Sequence, residues 1–232
     1  MGTLLRFPAD AHRVRTATGF YTPAEAARIA RVPRHRLDAW RREGIVRPTI
    51  EMIEDGRESK GYTFDALVYL RVIRMLRDER DVPLERSVEA LQHIVARFGP
   101  PGPAWADARV FLATGHAFVH GDDEWQTTVA TMHGQRVVDE FFGQEFLELR
   151  DRDDALLVPK KFRTVVEVNP AVQSGLPVVM GTKIKTSVLY DMRHQRPTGT
   201  TPSEIRMHYP VLTTLQIKTA LAYESFLDAE AL

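Results

Sequence analysis

The stretch Thr22–Pro48, TPAEAARIARVPRHRLDAWRREGIVRP, decides how the N-terminal part of the chain folds. Thr22, Pro23 and Glu25 write a helix start. The threonine hydroxyl accepts from the backbone N–H three residues on, the glutamate reaches back to the Thr22 N–H, and proline suits the first turn. Ala24, Ala26, Ala27, Ile29 and Ala30 make a short helix with a small-residue face, stopped at Val32-Pro33. A second helix is expected from about Arg34 to Glu43, ended by Gly44. Leu37 and Trp40, three apart, share its inward face. Arg34, Arg36, Arg41 and Arg42 are left on the outer face, with His35 among them. Two short helices at a sharp angle, the second one basic, make a helix-turn-helix, whose second helix fits the major groove of DNA.

Working outward, Ile45 to Phe64 reads as an extended hairpin, a wing, with Gly56 and Gly61 at turn positions and Arg47, Arg57 and Lys60 along it. Thr63 caps a long helix expected from about Phe64 to Arg80, striped by Leu67, Leu70, Ile73, Met75 and Leu76. Pro83 opens a further helix to about Phe98, with Val88, Leu91, Ile94 and Val95 inward. Upstream, residues 1–18 show no period and read as a flexible arm, a solvated tail in which Arg6, Arg13 and Arg15 are the possible phosphate contacts.

The 232 residues carry no net charge at neutral pH, but the charge is unevenly spread. Residues 1–50 hold 10 Lys and Arg against 4 Asp and Glu, whereas residues 101–157 hold 4 against 11. A local basic lobe attracts nucleic acid even where the whole chain is neutral. Of the 31 cations 25 are arginine, a skew that base composition alone can produce, so clustering carries the argument rather than arginine identity. The absence of cysteine removes thiolate metal sites and thiol catalysis and fits a reducing compartment. No apolar run is long enough to cross a membrane and no secretory signal is read at the N-terminus, so the expected location is the cytoplasm.

Residues 104–159 form an acidic segment of different character. Arg109 to His120 reads as two short strands about Thr114-Gly115, and Val137 to Leu149 as a helix containing Phe141, Phe142, Phe146 and Leu147. His116 and His120 would share a strand face near Asp122, Asp123 and Glu124, but no third ligand stands at a telling spacing. Glu140, Glu145 and Glu148 belong more simply to a solvated acidic face than to an acid–base pair. Neither a metal nor a cofactor is therefore expected, and no catalysis.

In residues 160–232, Val165–Val168 is a short strand, Gly175 and Gly181 suit tight turns about Val178 and Val179, and three helices follow. The first runs from about Ser187 to Gln195. The second opens with Thr201, Pro202 and Glu204, repeating the chemistry of Thr22, Pro23 and Glu25, and ends near Tyr209-Pro210. The third opens at Thr213 with Gln216 as its capping partner. The glycine-containing loop lacks the Gly-Lys-Ser/Thr ending of a phosphate loop.

From Gly19 to about Leu91 the chain resembles the MerR family of winged helix-turn-helix regulators. Leu37, Trp40, Arg42, Gly44 and Ile45 match that family's second helix and its exit, and Lys60, Gly61, Tyr62 and Thr63 match the end of its wing. Asp38 stands where the family usually has arginine, and Phe98-Gly-Pro-Pro-Gly-Pro103 breaks the chain where the family has a long dimerising coil. The C-terminal pattern resembles a small homeodomain-like domain of bacterial antitoxins. It is carried by Asn169-Pro170, Gly175-Leu-Pro177, Gly181-Thr-Lys-Ile184, Tyr209-Pro-Val-Leu-Thr213 and Ala220-Leu-Ala-Tyr223, with Lys183 in place of the more usual arginine.

Together these resemblances imply an antitoxin of the VapB class in a type II toxin–antitoxin pair. Such a protein inhibits a cognate VapC-like toxin of the PIN ribonuclease type and represses its own operon. The alternative is a ligand-responsive MerR-like regulator with the acidic segment as sensor. The expected architecture is mainly helical with small β elements: a winged helix-turn-helix over residues 19–98, a small α+β segment over 104–159, and a three-helix domain over 160–232. The expected DNA contacts are Arg34, His35, Arg36, Arg41, Arg42, Arg47, Arg57 and Lys60. Lys160, Lys161, Arg163 and Lys183 are the candidate toxin contacts. Expected partners are operator DNA, the toxin and a second copy of the chain, since palindromic operators match two-fold dimers.

Overall fold

Residues 19–46, 50–54, 57–108, 110–113, 116–119, 138–141, 146–195 and 199–230 are described by a computed structural model, by backbone alone in the strands between 50 and 60 and between 110 and 141. Thr22 caps α1 (Pro23–Ala30) with both halves of a capping box: its hydroxyl accepts from the Glu25 N–H, and the Glu25 carboxylate accepts from the Thr22 N–H. Such a cap stabilises a helix by about 1 kcal/mol. The helix ends at Arg31, a non-glycine residue in the left-handed region at φ 59°. Pro33 then caps α2 (Arg34–Arg42), and Gly44 turns the chain out of it at φ 76°.

The wing is the antiparallel pair β1 (Ile50–Glu54) and β2 (Arg57–Gly61), in register Ile50↔Gly61. It is tied to the start of the helix-turn-helix, because Tyr21 and Tyr62 exchange backbone hydrogen bonds at 3.0 and 2.9 Å. α3 (Phe64–Arg74) opens under Thr63, whose hydroxyl accepts from the Ala66 N–H, and widens into a π-helical turn at Met75–Glu79. After α4 (Leu84–Phe98) the chain turns at Gly99 into a 3-10 turn, Pro103–Asp107. Trp105 at its centre is fully buried, 6.1 Å from the Tyr69 ring and 5.4 Å from the Phe146 ring, with its indole N–H donated to the Gly99 carbonyl. The acidic segment is thereby anchored on α3 and α4.

The helix expected over Val137–Leu149 is corrected. Its first part is a strand, β5 (Val138–Phe141), on the opposite edge of β3 (Val110–Ala113) from β4 (His116–Val119). Among the described residues of that stretch, Phe146 and Leu147 are helical, running into a 3-10 turn at Glu148–Arg150. The physical reason is local. Gly143 sits in the middle of the expected helix, where it costs about 1 kcal/mol, while Val138 and Phe141 favour strand and β3 offers a ladder of hydrogen bonds.

The C-terminal part opens with the hairpin β6 (Val166–Glu167) and β7 (Val178–Val179), followed by α5 (Thr186–His194), α6 (Pro202–His208) and α7 (Thr214–Glu230). Both expected caps form: Thr201 with Glu204, and Thr213 with Gln216. α7 buries Ile217, Ala220, Tyr223, Glu224 and Leu227. The architecture is mainly helical with small sheets, as the residue pattern predicts. One apolar cluster runs from Tyr21 through Trp105 and Phe162 to Leu227, so α7 packs against α1.

Candidate nucleic-acid interface

The turn between α1 and α2 is built from hydrogen bonds as well as packing. Val32 N–H donates to the Ala27 carbonyl at 2.8 Å, and Arg36 and Leu37 N–H groups both donate to Pro33. Leu37 and Trp40 are buried beneath α2, and Arg77 lies over the Trp40 ring at 5.8 Å. This fixes the helix rotation, and with it the face that carries the expected DNA contacts.

Those contacts are not equivalent. Arg34 and Arg41 are about half exposed, at 48% and 45%, and both turn toward Asp38: Arg34 Nε at 3.1 Å and Arg41 Nη2 at 3.6 Å. Arg42 Nε donates to the Asp38 backbone carbonyl at 3.3 Å. His35 is exposed one turn earlier. Arg36 differs. Its Nη1 donates to the Asp78 carboxylate at 2.6 Å and its side chain is only 28% exposed, so it braces α2 against the π-helical turn. Arg57 and Lys60 lie on β2, where the structure describes only backbone, and Arg47 lies outside the described residues. The arm with Arg6, Arg13 and Arg15, the Thr114-Gly115 turn, and His120, Asp122, Asp123, Glu124 and Glu145 also lie outside them. His116 is on β4, described by backbone alone.

Behind α2, the Tyr62 hydroxyl is buried without a hydrogen-bond partner, and burial pushes it up from its ordinary value. The four candidate toxin contacts also separate. Arg163 is committed internally, donating to Glu148 and to the carbonyls of Val158 and Ala155. Lys161 lies over the Phe162 and Phe226 rings, at 4.9 and 4.7 Å. Lys160 is 86% exposed, and Lys183 is exposed beside β7.

Two ionic features were missed in the sequence. Arg28 of α1 meets Glu224 and Asp228 of α7, and Arg31 and Arg71 are buried near the partly buried Arg74, which pairs with Glu230 at the end of α7. The signal was present: Arg71 interrupts the apolar run Leu67–Ile73, and Glu224 follows Tyr223 on the inward face of α7. Burial, with Arg71 and Arg74 close by, pushes Arg31 down to about 9, which leaves it charged at neutral pH. Among the described residues, no group of three or more histidines and carboxylates is placed to hold a metal ion, and no helix is long and apolar enough to cross a membrane.

Comparison with known proteins follows this division. Residues 21–94 match the model of the MerR HTH family regulatory proteins, and residues 166–223 match a family described as "Protein of unknown function (DUF433)". No curated protein matches the chain. The crystal structure of Rv2018 from Mycobacterium tuberculosis is similar in fold, with a TM-score of 0.57 at 20% identity over 87% of this chain and 96% of that one. The N-terminal unit is thus a MerR-like helix-turn-helix, similar to the module of DNA-binding transcriptional regulators, joined in one packed structure to a C-terminal three-helix unit.

Proposed function

We propose that the chain is a cytoplasmic, operator-binding repressor without catalytic activity, reading DNA with α2 and clasping the backbone with the β1–β2 wing. The observation that carries this is the placement of α2. Its apolar face is locked by Leu37 and Trp40, while Arg34, His35, Arg41 and Arg42 are exposed on the other side. A helix presented in this way by a second helix suits the major groove, and the exposed cations suit phosphate or base edges. Operator reading requires two half-sites, so the working species is a homodimer.

Within this reading the chain is an antitoxin. It neutralises a VapC-like PIN ribonuclease and represses the operon encoding both. The motif set from Asn169-Pro170 to Ala220-Leu-Ala-Tyr223 supports this, all of it within the C-terminal unit. A carboxylate-lined ribonuclease site is best met by an exposed cation, and of the four candidates Lys183 is exposed, as is Lys160, whose Nζ lies 3.7 Å from the Glu148 carboxylate.

The test is co-expression with the protein encoded beside this chain, followed by size-exclusion chromatography with light scattering and a mobility-shift assay on the upstream DNA. A stable hetero-complex that shifts the DNA is expected. A homodimer that shifts DNA but takes up no neighbour removes the antitoxin reading and favours a ligand-responsive regulator. Failure to shift DNA removes both.

A further inference from the structure

The turn between α6 and α7 holds apolar side chains out in water. Met207 in the last turn of α6 is 75% exposed, Val211 in the connection 69%, and Leu215 in the first turn of α7 70%, the most exposed large apolar side chains among the described residues. The inward positions of the same stretch are already filled by Ile205, Leu212 and Ile217, all buried. Hydrogen bonds fix the connection. The Tyr209 N–H donates to the Ile205 carbonyl at 2.9 Å, the Leu212 N–H donates to the Tyr209 carbonyl at 3.0 Å, and Thr213 with Gln216 caps α7. The exposed set therefore has no inward position to turn to. Exposed apolar side chains gathered at one turn and rimmed by polar ones mark an interaction surface.

The charge around the patch selects its occupant. Arg206, His208 and Lys218 are all exposed, and residues 205–223 contain no aspartate or glutamate. Glu204, just before them, is held by the cap of α6, its carboxylate accepting from the Thr201 N–H and hydroxyl at 2.7 Å. A second copy docked patch to patch about a two-fold axis would bring the cations face to face. Two helices joined by a short turn also suit nucleic acid, but the first turn of the second helix is then the part that meets the bases. Here that part presents Leu215 close after Val211, and neither donates a hydrogen bond to a base edge or a phosphate. A protein surface that is apolar at its centre and acidic at its edge satisfies both the patch and its rim.

We propose that Met207, Val211 and Leu215 anchor the partner ribonuclease, seating on an apolar strip of its surface whose flanking carboxylates meet Arg206, His208 and Lys218. The inference rests on the antitoxin reading and deepens it, because it moves the main contact from a lone lysine to a patch with an apolar centre. The centre supplies affinity by leaving water, and the cationic rim speeds the encounter and rejects partners of the wrong charge. None of the six residues belongs to α2 or the wing, so the patch and the DNA-reading helix are separable by substitution.

The experiment is isothermal titration of the full chain with the protein encoded beside it, for wild type, the double variant Met207→Gln with Leu215→Gln, and Lys218→Glu. The double variant is expected to bind about tenfold more weakly or worse, with its melting temperature and its shift of the upstream DNA unchanged, since the side chains replaced are exposed. Lys218→Glu is expected to slow association in stopped-flow mixing, most clearly at low salt. Wild-type affinity in both variants overturns the patch and leaves the antitoxin reading standing. No complex with wild type overturns both. Light scattering gives the third outcome: a free chain that is dimeric as wild type and monomeric as the double variant assigns the patch to a second copy and overturns the proposal.

Discussion

Arg28 and Glu224 meet at 2.5 Å across nearly the whole chain, one on the first helix of the helix-turn-helix and the other on the last helix. The carboxylate is almost wholly buried, with a side chain 1% exposed, and its second oxygen accepts from the Thr186 hydroxyl at the start of α5. Arg28 also donates to the Glu224 backbone carbonyl and to Asp228. A charge this deep persists only when paired, and the Glu224 side pairs raise Arg28 above its ordinary value against the opposing effect of its own burial.

Glu224→Ala leaves Arg28 facing an empty, buried partner. Breaking such a pair from one side costs about 3 kcal/mol or more. The expected result is a lower urea midpoint. Glu224→Gln, which keeps the acceptor for Thr186, should cost less. Equal, negligible losses for both variants would show that α1 and α7 do not depend on this pair.

A second tie between the two ends runs through Tyr21, whose hydroxyl donates to the Gly175 carbonyl at 2.8 Å. Gly175 has φ +90°, and a Cβ there would stand 2.0 Å from the Tyr21 oxygen. Gly175→Ala therefore meets both backbone strain and overlap and is expected to destabilise by about 2 kcal/mol or more. Tyr21→Phe loses one hydrogen bond, about 1 kcal/mol. The double variant should recover a part of the alanine penalty, because removing the hydroxyl relieves the closest overlap and leaves the ring carbon 2.7 Å from the added Cβ. Thermal unfolding of the three proteins reads this coupling, and strict additivity would place the clash elsewhere.

Glu230 supplies a pH-dependent contribution. The hydrogen bond from Arg74 holds its carboxyl below the ordinary value of 4.5. A depressed folded value means that the stabilisation is fully present above pH 4.5 and lost as pH falls through the folded value. Glu230→Gln is expected to lower stability modestly at neutral pH, the loss being small because the side chain is 37% exposed, and to leave stability in acid unchanged, so that the acid limb of the stability–pH curve flattens. An unchanged acid limb would show that Arg74 does not engage Glu230 in solution.

What was legible in the sequence was mostly local. Thr22 with Glu25, Thr201 with Glu204 and Thr213 with Gln216 are pairs three residues apart whose hydrogen bonds close within one turn, and all three form. Leu37 and Trp40 revealed the inward face of α2 by spacing alone. The strand at Val138–Phe141 was not legible, because its partner lies some thirty residues upstream and a short apolar run does not say whether a neighbouring edge is available. For the same reason the exposed arginines of α2 looked alike, while Asp78, forty-two positions from Arg36, sets that one apart. Arg31 escaped notice because only the fold brings Arg71 and Arg74 to it.

On the proposed reading, Asp38 shapes what α2 offers to DNA. It sits between Arg34 and Arg41 and draws both guanidinium groups toward its carboxylate. Phosphates must compete with that carboxylate, so operator binding should be strongly salt-dependent and weaker than the arginine count implies. Arg41→Ala is expected to weaken operator affinity by about 1–3 kcal/mol if it meets a base edge. Arg36→Ala should weaken it less, because Asp78 already holds that guanidinium. Asp38→Asn removes the competing charge, and the expected result is tighter binding to all DNA at low salt with a smaller ratio of operator to random sequence. Fluorescence anisotropy over a salt series measures all three. Unchanged affinity in Arg41→Ala together with unchanged affinity in Asp38→Asn would remove α2 from the interface.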